Sequence, residues 1–242
     1  MNRILILYAH PSPHRSEVNQ PLFDACQNQE GVTCVDLYGE YPTFNIDICR
    51  EQRRLIDHDV VVFMYPLYWY STPSLLKEWQ DLVLEYDFAY GHEGKALQDK
   101  LFLCAITAGG AEESYSHSSY NHFTIRELLQ PLEQMANITR MHYLPPYTLF
   151  GARTAVEEQR LDEHIAGFVQ LLSLIREQGI SYQDTSDYIT MNQFLLERGL
   201  LSISSAASPD SSGNPTSGAG TSSTSVSSSD ITSSPISQEG KL

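Results

Sequence analysis

The chain has 242 residues, 41% of them hydrophobic, and carries 30 acidic against 15 basic side chains for a formal charge of −15. An acidic chain without clustered Lys and Arg is excluded as a nucleic-acid or anionic-membrane binder. Its longest apolar run, residues 60–70, is too short for a spanning helix. The apolar start at residues 4–8 is too brief for a signal peptide, and Cys26, Cys34, Cys49 and Cys104 show no CxxC or zinc spacing. The expectation is a cytoplasmic protein with reduced thiols and no metal site, since no carboxylate or Cys pattern joins His10 and His14.

The last 41 residues, 202–242, contain 16 Ser, no aromatic residue and four charged ones, a composition that cannot bury enough apolar surface to offset chain ordering. They read as a disordered tail. Residues 1–180 then form one domain with a large core, and residues 181–201 form a short helical extension.

In chain order, the β-branched run at residues 4–8 predicts a strand buried on both faces. A helix follows at 17–29, a second strand at 32–37, a charged helix at 47–57 and the strongest strand signal at 60–65. Thr72 and Pro73 suit an N-cap and first helical position, with Leu75, Leu76, Trp79, Leu82, Val83 and Tyr86 on one helix face. A fourth strand spans 101–107 and ends in Gly109-Gly110. Thr124 and Glu127 have capping-box spacing, opening a helix with Ile125, Leu128, Leu129 and Leu132 inward and a kink at Pro131. A fifth strand within 139–150 is interrupted by Pro145-Pro146; Leu161, Ile165, Phe168, Leu172 and Ile175 mark a long last helix, and 190–198 a short one. Alternating strands and helices imply a doubly wound α/β fold, a five-stranded parallel sheet with helices on both faces, of flavodoxin-like architecture.

Ligands of such sheets bind beyond the carboxyl ends of the strands, which selects three loops. The first, 10–19, opens a helix whose free N–H groups suit a phosphate, with Ser16 and Asn19 to complete the cage; Ser16 equally suits a helix cap. It lacks GxGxxG and the P-loop pattern. The second carries Tyr68, Trp69 and Tyr70, which either pack on a flat ligand such as isoalloxazine or bury at an interface. The third, 107–122, has Gly109-Gly110, whose amides suit negative charge on a ligand, or a simple turn. Tyr115, His117 and His122 are proton-donor candidates on it.

The stretches Tyr8-Ala-His-Pro, Ser16-Glu-Val-Asn19, Leu37-Tyr-Gly-Glu-Tyr-Pro-Thr-Phe-Asn-Ile-Asp-Ile48, Pro66-Leu-Tyr-Trp-Tyr-Ser, Pro73-Ser-Leu-Leu-Lys-Glu-Trp79, Phe88-Ala-Tyr-Gly91, Thr107-Ala-Gly-Gly110 and Leu144-Pro-Pro146 resemble the flavodoxin-like NAD(P)H:quinone oxidoreductases. Within these the chain is most similar to the ancillary proteins of the glutathione-regulated potassium-efflux systems, KefF and KefG, over residues 2–178. The resemblance implies cofactor contacts from His10, Ser16, Glu17, Val18, Asn19, Pro66, Leu67, Tyr68, Trp69, Thr107, Ala108, Gly109 and Gly110. It implies catalytic roles for Tyr115, and for His122 in place of a histidine the family puts where Asn121 stands; Ser118 and Ser119 stand where the family often has glycines.

The resemblance further implies a flavin, FMN by chain length with FAD as the alternative, and NAD(P)H as co-substrate. Two electrons pass to a quinone in a ping-pong cycle. It implies a homodimer, with Tyr70, Tyr90 and Tyr120 as candidate interface aromatics. The alternative is a regulatory subunit of a glutathione-gated potassium/proton antiporter, held at the inner face of the cell membrane through that partner. Arg15 and Arg153 are candidates for the 2′-phosphate of NADPH. No hydrolase elbow GxSxG is present.

Overall fold

The computed structural model describes residues 1–200; the reading of 202–242 as a disordered tail lies outside the described residues. Three apolar runs, β1 (Ile4–Tyr8), β3 (Val60–Pro66) and β4 (Leu101–Thr107), form the centre of one parallel sheet. Strand β2 (Val32–Asp36) pairs with β1, and two short strands, β5 (His142–Tyr143) and β6 (Tyr147–Leu149), both pair with β4. The order β2-β1-β3-β4-β5 is the flavodoxin-like one.

The sheet has six strands where five were expected because the fifth position is split. Leu144 N still donates to Phe102 O at 2.8 Å, but Pro145 and Pro146 have no N–H to continue the ladder. The chain rejoins β4 three residues higher, at Tyr147 opposite Ala105.

Alternating side chains of the central strands feed two cores. Leu5, Leu7, Val61, Phe63, Phe102 and Cys104 face one side; Ile4, Ile6, Val60, Val62, Met64 and Leu103 face the other. Helix α4 (Ser74–Val83) covers the first side with Leu75, Leu76, Trp79 and Val83. Its N-cap is Pro73 rather than Thr72, whose buried hydroxyl makes no hydrogen bond among the described residues. The helix closes at Leu84, so Tyr86 lies beyond it, exposed, and Leu82 is half-buried.

Helix α1 (Asn19–Cys26) and helix α7 (Leu161–Arg176) cover the second side. Between β2 and β3 lie the short α2 (Leu37–Glu40) and α3 (Ile48–Asp57). The Thr124–Glu127 capping box forms as expected, but Pro131 does more than kink the helix. It divides it into α5 (Ile125–Leu128) and α6 (Gln130–Ile138), with Leu128 only half-buried. Helix α8 (Met191–Glu197), capped by Thr190, docks on β6: Met191 N donates to Pro146 O at 2.9 Å and Thr148 N to Asn192 Oδ1 at 2.8 Å. Among the described residues no helix is long and apolar enough to cross a membrane.

His164 of α7 is buried against the Tyr147 ring at 4.5 Å, and among the described residues its Nε2 has no hydrogen-bond partner. Burial lowers its pKa to about 3. The unfolded chain therefore binds a proton at His164 near pH 6.5 that the folded chain refuses. Stability from this residue is complete above pH ~6.5 and is lost progressively as the pH falls toward the folded value. His164→Phe should flatten the fall of urea midpoint between about pH 6.5 and 4; an unchanged slope would refute the assignment.

Candidate functional site

All three loops leave the carboxyl edge of the sheet. After β1, Ala9 N donates to Met64 O at 2.9 Å, and the chain turns out at His10. The His10 ring is buried, and Nδ1 accepts from Ser12 N at 3.1 Å. That bond places the neutral ring's proton on Nε2, which lies 3.5 Å from Tyr68 Oη. Burial holds the His10 pKa below the usual histidine value, so the ring is neutral at pH 7. A turn over Pro13–Arg15 leads to Ser16, whose Oγ accepts from Asn19 N at 2.9 Å and so steadies the start of α1. Among the described residues no acceptor meets the amides of Glu17 and Val18, just ahead of that helix.

Asn19 joins two loops. Its buried side-chain amide donates to Thr107 Oγ1 at 3.0 Å, fastening the start of α1 to the end of β4. Thr107 O in turn accepts from Leu67 N at 2.9 Å, which sets the start of the second loop.

The second loop is a tight turn. Ser71 N donates to Tyr68 O at 3.0 Å, and Trp69 and Tyr70 have φ of 50° and 60°. Two successive left-handed residues define a type I′ turn, at a strain of about 1–3 kcal/mol for each non-glycine residue. Its product is a Trp69 side chain 94% exposed beside the cleft. Tyr70 Oη donates to Asn121 Oδ1 at 2.9 Å, tying this turn to the third loop.

The third loop is braced by the chain leaving β6. Ala108 N donates to Leu149 O (2.9 Å), Ala152 N to Ala108 O (3.0 Å) and Gly151 N to Gly110 O (2.8 Å). Tyr115 packs on Phe150 with ring centroids 5.3 Å apart. Its half-burial raises the phenol pKa, offset in part by the Gly110 amide. A Cβ on Gly110 would lie 3.3 Å from the Tyr115 ring, closer than ordinary contact, so glycine is what lets the ring sit there.

These segments enclose a cavity of about 590 Å³ lined by His10, Arg15, Ser16, Glu17, Val18, Asn19, Pro66, Leu67, Tyr68, Trp69, Thr107, Gly109, Ala152 and Arg153. This volume lies within the usual range for small-molecule sites. Eleven of the cofactor residues expected from sequence therefore share one cleft. Ala108 is buried behind it, and Gly110 turns toward Tyr115 rather than lining it.

The two catalytic candidates, Tyr115 and His122, do not line the cavity; His122 is exposed, with a left-handed φ of 59°. His117 lies 2.8 Å from Glu127. The Glu127 carboxylate is held at about 2, chiefly by the Thr124 amide and then by His117. That pair belongs to the helix cap. Of the interface candidates, Tyr120 is exposed and Tyr70 nearly half so, whereas Tyr90 is half-buried edge-on to Tyr86.

The segment 150–153 was not among the loops selected from sequence. Arg15 and Arg153, candidates for a nucleotide phosphate, both line the cleft, and Ala152 joins them. The rule that selected the other loops applies equally to the end of β6, but Pro145-Pro146 obscured where that strand ends.

Comparison with known proteins agrees with this architecture. Residues 2–172 match a family described as having a flavodoxin-like fold. The ancillary protein KefG of the glutathione-regulated potassium-efflux system from Yersinia pseudotuberculosis is 42% identical over 178 residues, 74% of this chain and 97% of that protein. General stress protein 14 from Treponema denticola, solved in complex with FMN, is 33% identical with a TM-score of 0.65, over 70% of this chain and 99% of that one. An NADPH-quinone reductase from P. pentosaceus is 32% identical with a TM-score of 0.63, over 70% and 96%. A chain described as a thermophilic tryptophan halogenase from Streptomycin violaceusniger is 39% identical with a TM-score of 0.66, over 76% and 98%. The chain belongs to the flavodoxin-like fold family.

Proposed function

We propose that the protein is an FMN-dependent NAD(P)H:quinone oxidoreductase. The observation that carries this reading is one cleft combining phosphate-type donors with aromatic side chains: the amides of Glu17 and Val18 ahead of α1, without an acceptor among the described residues, share it with Tyr68 and Trp69. The donors suit the FMN phosphate in an acidic protein with few cations. The aromatic side chains and Pro66 suit the isoalloxazine, with Thr107 and Gly109 at its pyrimidine edge. Two solved neighbours, one bound to FMN and one an NADPH-quinone reductase, support the same reading.

FMN held in this cleft would supply two-electron redox chemistry between NAD(P)H and a quinone, in a ping-pong cycle. The protein's part is to orient and desolvate. Asn19 and Thr107 fix the phosphate loop against the sheet, neutral His10 offers an N–H donor, and the strained Tyr68–Ser71 turn sets Trp69 beside the shared slot for nicotinamide and quinone. FMN-loaded protein should oxidise NADPH in the presence of a soluble benzoquinone. Absence of that turnover, or tryptophan halogenation instead, would overturn the reading.

Similarity to KefG supports a second role as an ancillary subunit of a membrane potassium-efflux antiporter, held peripherally through that partner, and it coexists with catalysis. The exposed Tyr120 and the partly exposed Tyr70 support a homodimer. Co-purification with the antiporter and solution mass test these two points.

A further inference from the structure

The cleft of this acidic chain is lined by two arginines, Arg15 and Arg153, and by one carboxylate, Glu17, none of them in an ion pair among the described residues. Its described part has few basic residues, and most Arg side chains that approach a carboxylate are committed, as Arg54 is to Glu40 and Arg160 to Glu158. Arg153 lines the cavity and forms no ion pair among the described residues. Its position is set by backbone: the hydrogen bonds from Ala152 to Ala108 and from Gly151 to Gly110 hold residue 153 beside the third loop. Its Nε lies 3.6 Å from where a Cβ on Gly109 would stand, so the guanidinium shares its surroundings with the one glycine of this loop that lines the cavity.

Tyr115 and His122, which the family resemblance offered for charge stabilisation, lie outside the cavity lining, and Asn121 is spent on Tyr70. We propose that Arg153 is the residue that compensates the negative charge a bound flavin's pyrimidine edge acquires on reduction. This rests on the FMN reading above. Hydride transfer from NAD(P)H would bring two electrons and one proton and so one negative charge to the ring; the quinone takes the same hydride away, and a proton from solvent completes the hydroquinone. A cation fixed at that edge favours the reduced form of the cofactor over the oxidised one, more strongly once the ring has excluded water from the cleft. Arg15 lies on the loop that opens α1 and is left for phosphate.

The test is a spectroelectrochemical titration of FMN-loaded wild type, Arg153→Gln and Arg153→Lys, with FMN affinity measured by fluorescence quenching and KM determined for NADPH and NADH. The expected result for Arg153→Gln is about a tenfold loss in preference for reduced over oxidised FMN, which is about 30 mV for a two-electron couple. Arg153→Lys should recover part of it, oxidised-FMN affinity should be nearly unchanged, and kcat should fall equally for the two nucleotides. An unchanged potential with KM raised for NADPH alone would overturn the proposal and assign Arg153 to the nucleotide 2′-phosphate. An unchanged potential with unchanged kinetics would make it a solvated surface residue. Wild type that binds no FMN would overturn the cofactor reading and this one together, so the two failures are distinct.

Discussion

Glu51→Ala is expected to cost about 3–5 kcal/mol of folding stability. Glu51 lies on a helix whose composition reads as a solvated charged surface, yet it is fully buried. Its carboxylate accepts from Trp79 Nε1 at 2.9 Å and from Tyr41 Oη at 2.6 Å, and it pairs with Arg54. One side chain thus joins α3, α4 and the segment after α2. Arg54 keeps Glu40 when Glu51 is removed, so no uncompensated charge remains; the cost comes from two buried donors without an acceptor, at ~1–3 kcal/mol each, and the cavity left behind. Glu51→Gln retains the volume and one acceptor and should cost about 1–2 kcal/mol. Urea unfolding of the variants measures both. A midpoint shift equivalent to less than about 1 kcal/mol for the Ala variant would refute this role.

The second large effect concerns ligand binding. Asn19→Ala removes the bond between the phosphate loop and Thr107, the buried link between α1 and the end of β4. Loss of a buried hydrogen bond that leaves one partner unmet costs ~1–3 kcal/mol, and here the loss falls mainly on the ordered, ligand-holding form of the loop. FMN should bind about 10–100-fold more weakly by fluorescence titration, with a small change in melting temperature. An Asn19→Ala protein with wild-type FMN affinity would show that the loop is positioned by other contacts. Thr107→Val, which deletes the same bond from the other side, should reproduce the loss.

The central strands were legible because burial on both faces leaves an uninterrupted apolar run, and β1, β3 and β4 have one. The doubly wound order followed from their alternation with helices. Most of the cleft was legible for the same reason: once the strand ends are placed, the loops beyond them follow. Three features were not legible. Pro145-Pro146 left no sign that the chain would re-pair with β4 beyond the break, so the site segment ending at Arg153 went unselected. Left-handed Trp69 and Tyr70 have no local signature, since neither residue type favours that conformation; the turn is imposed by the strand end and the bond from Tyr70 to Asn121. Burial of Glu51 depends on Trp79 and Tyr41 arriving from distant sequence, which periodicity within one helix does not report.

The central claim is that this cleft holds FMN, and the visible absorption spectrum of the purified protein, before and after FMN addition and desalting, tests it most directly. Bands near about 370 and 450 nm that survive desalting, and that are weakened in the Asn19→Ala protein, are the predicted result. A wild-type protein that is colourless after FMN addition and desalting would contradict the account and leave a flavodoxin-like subunit that acts through a protein partner.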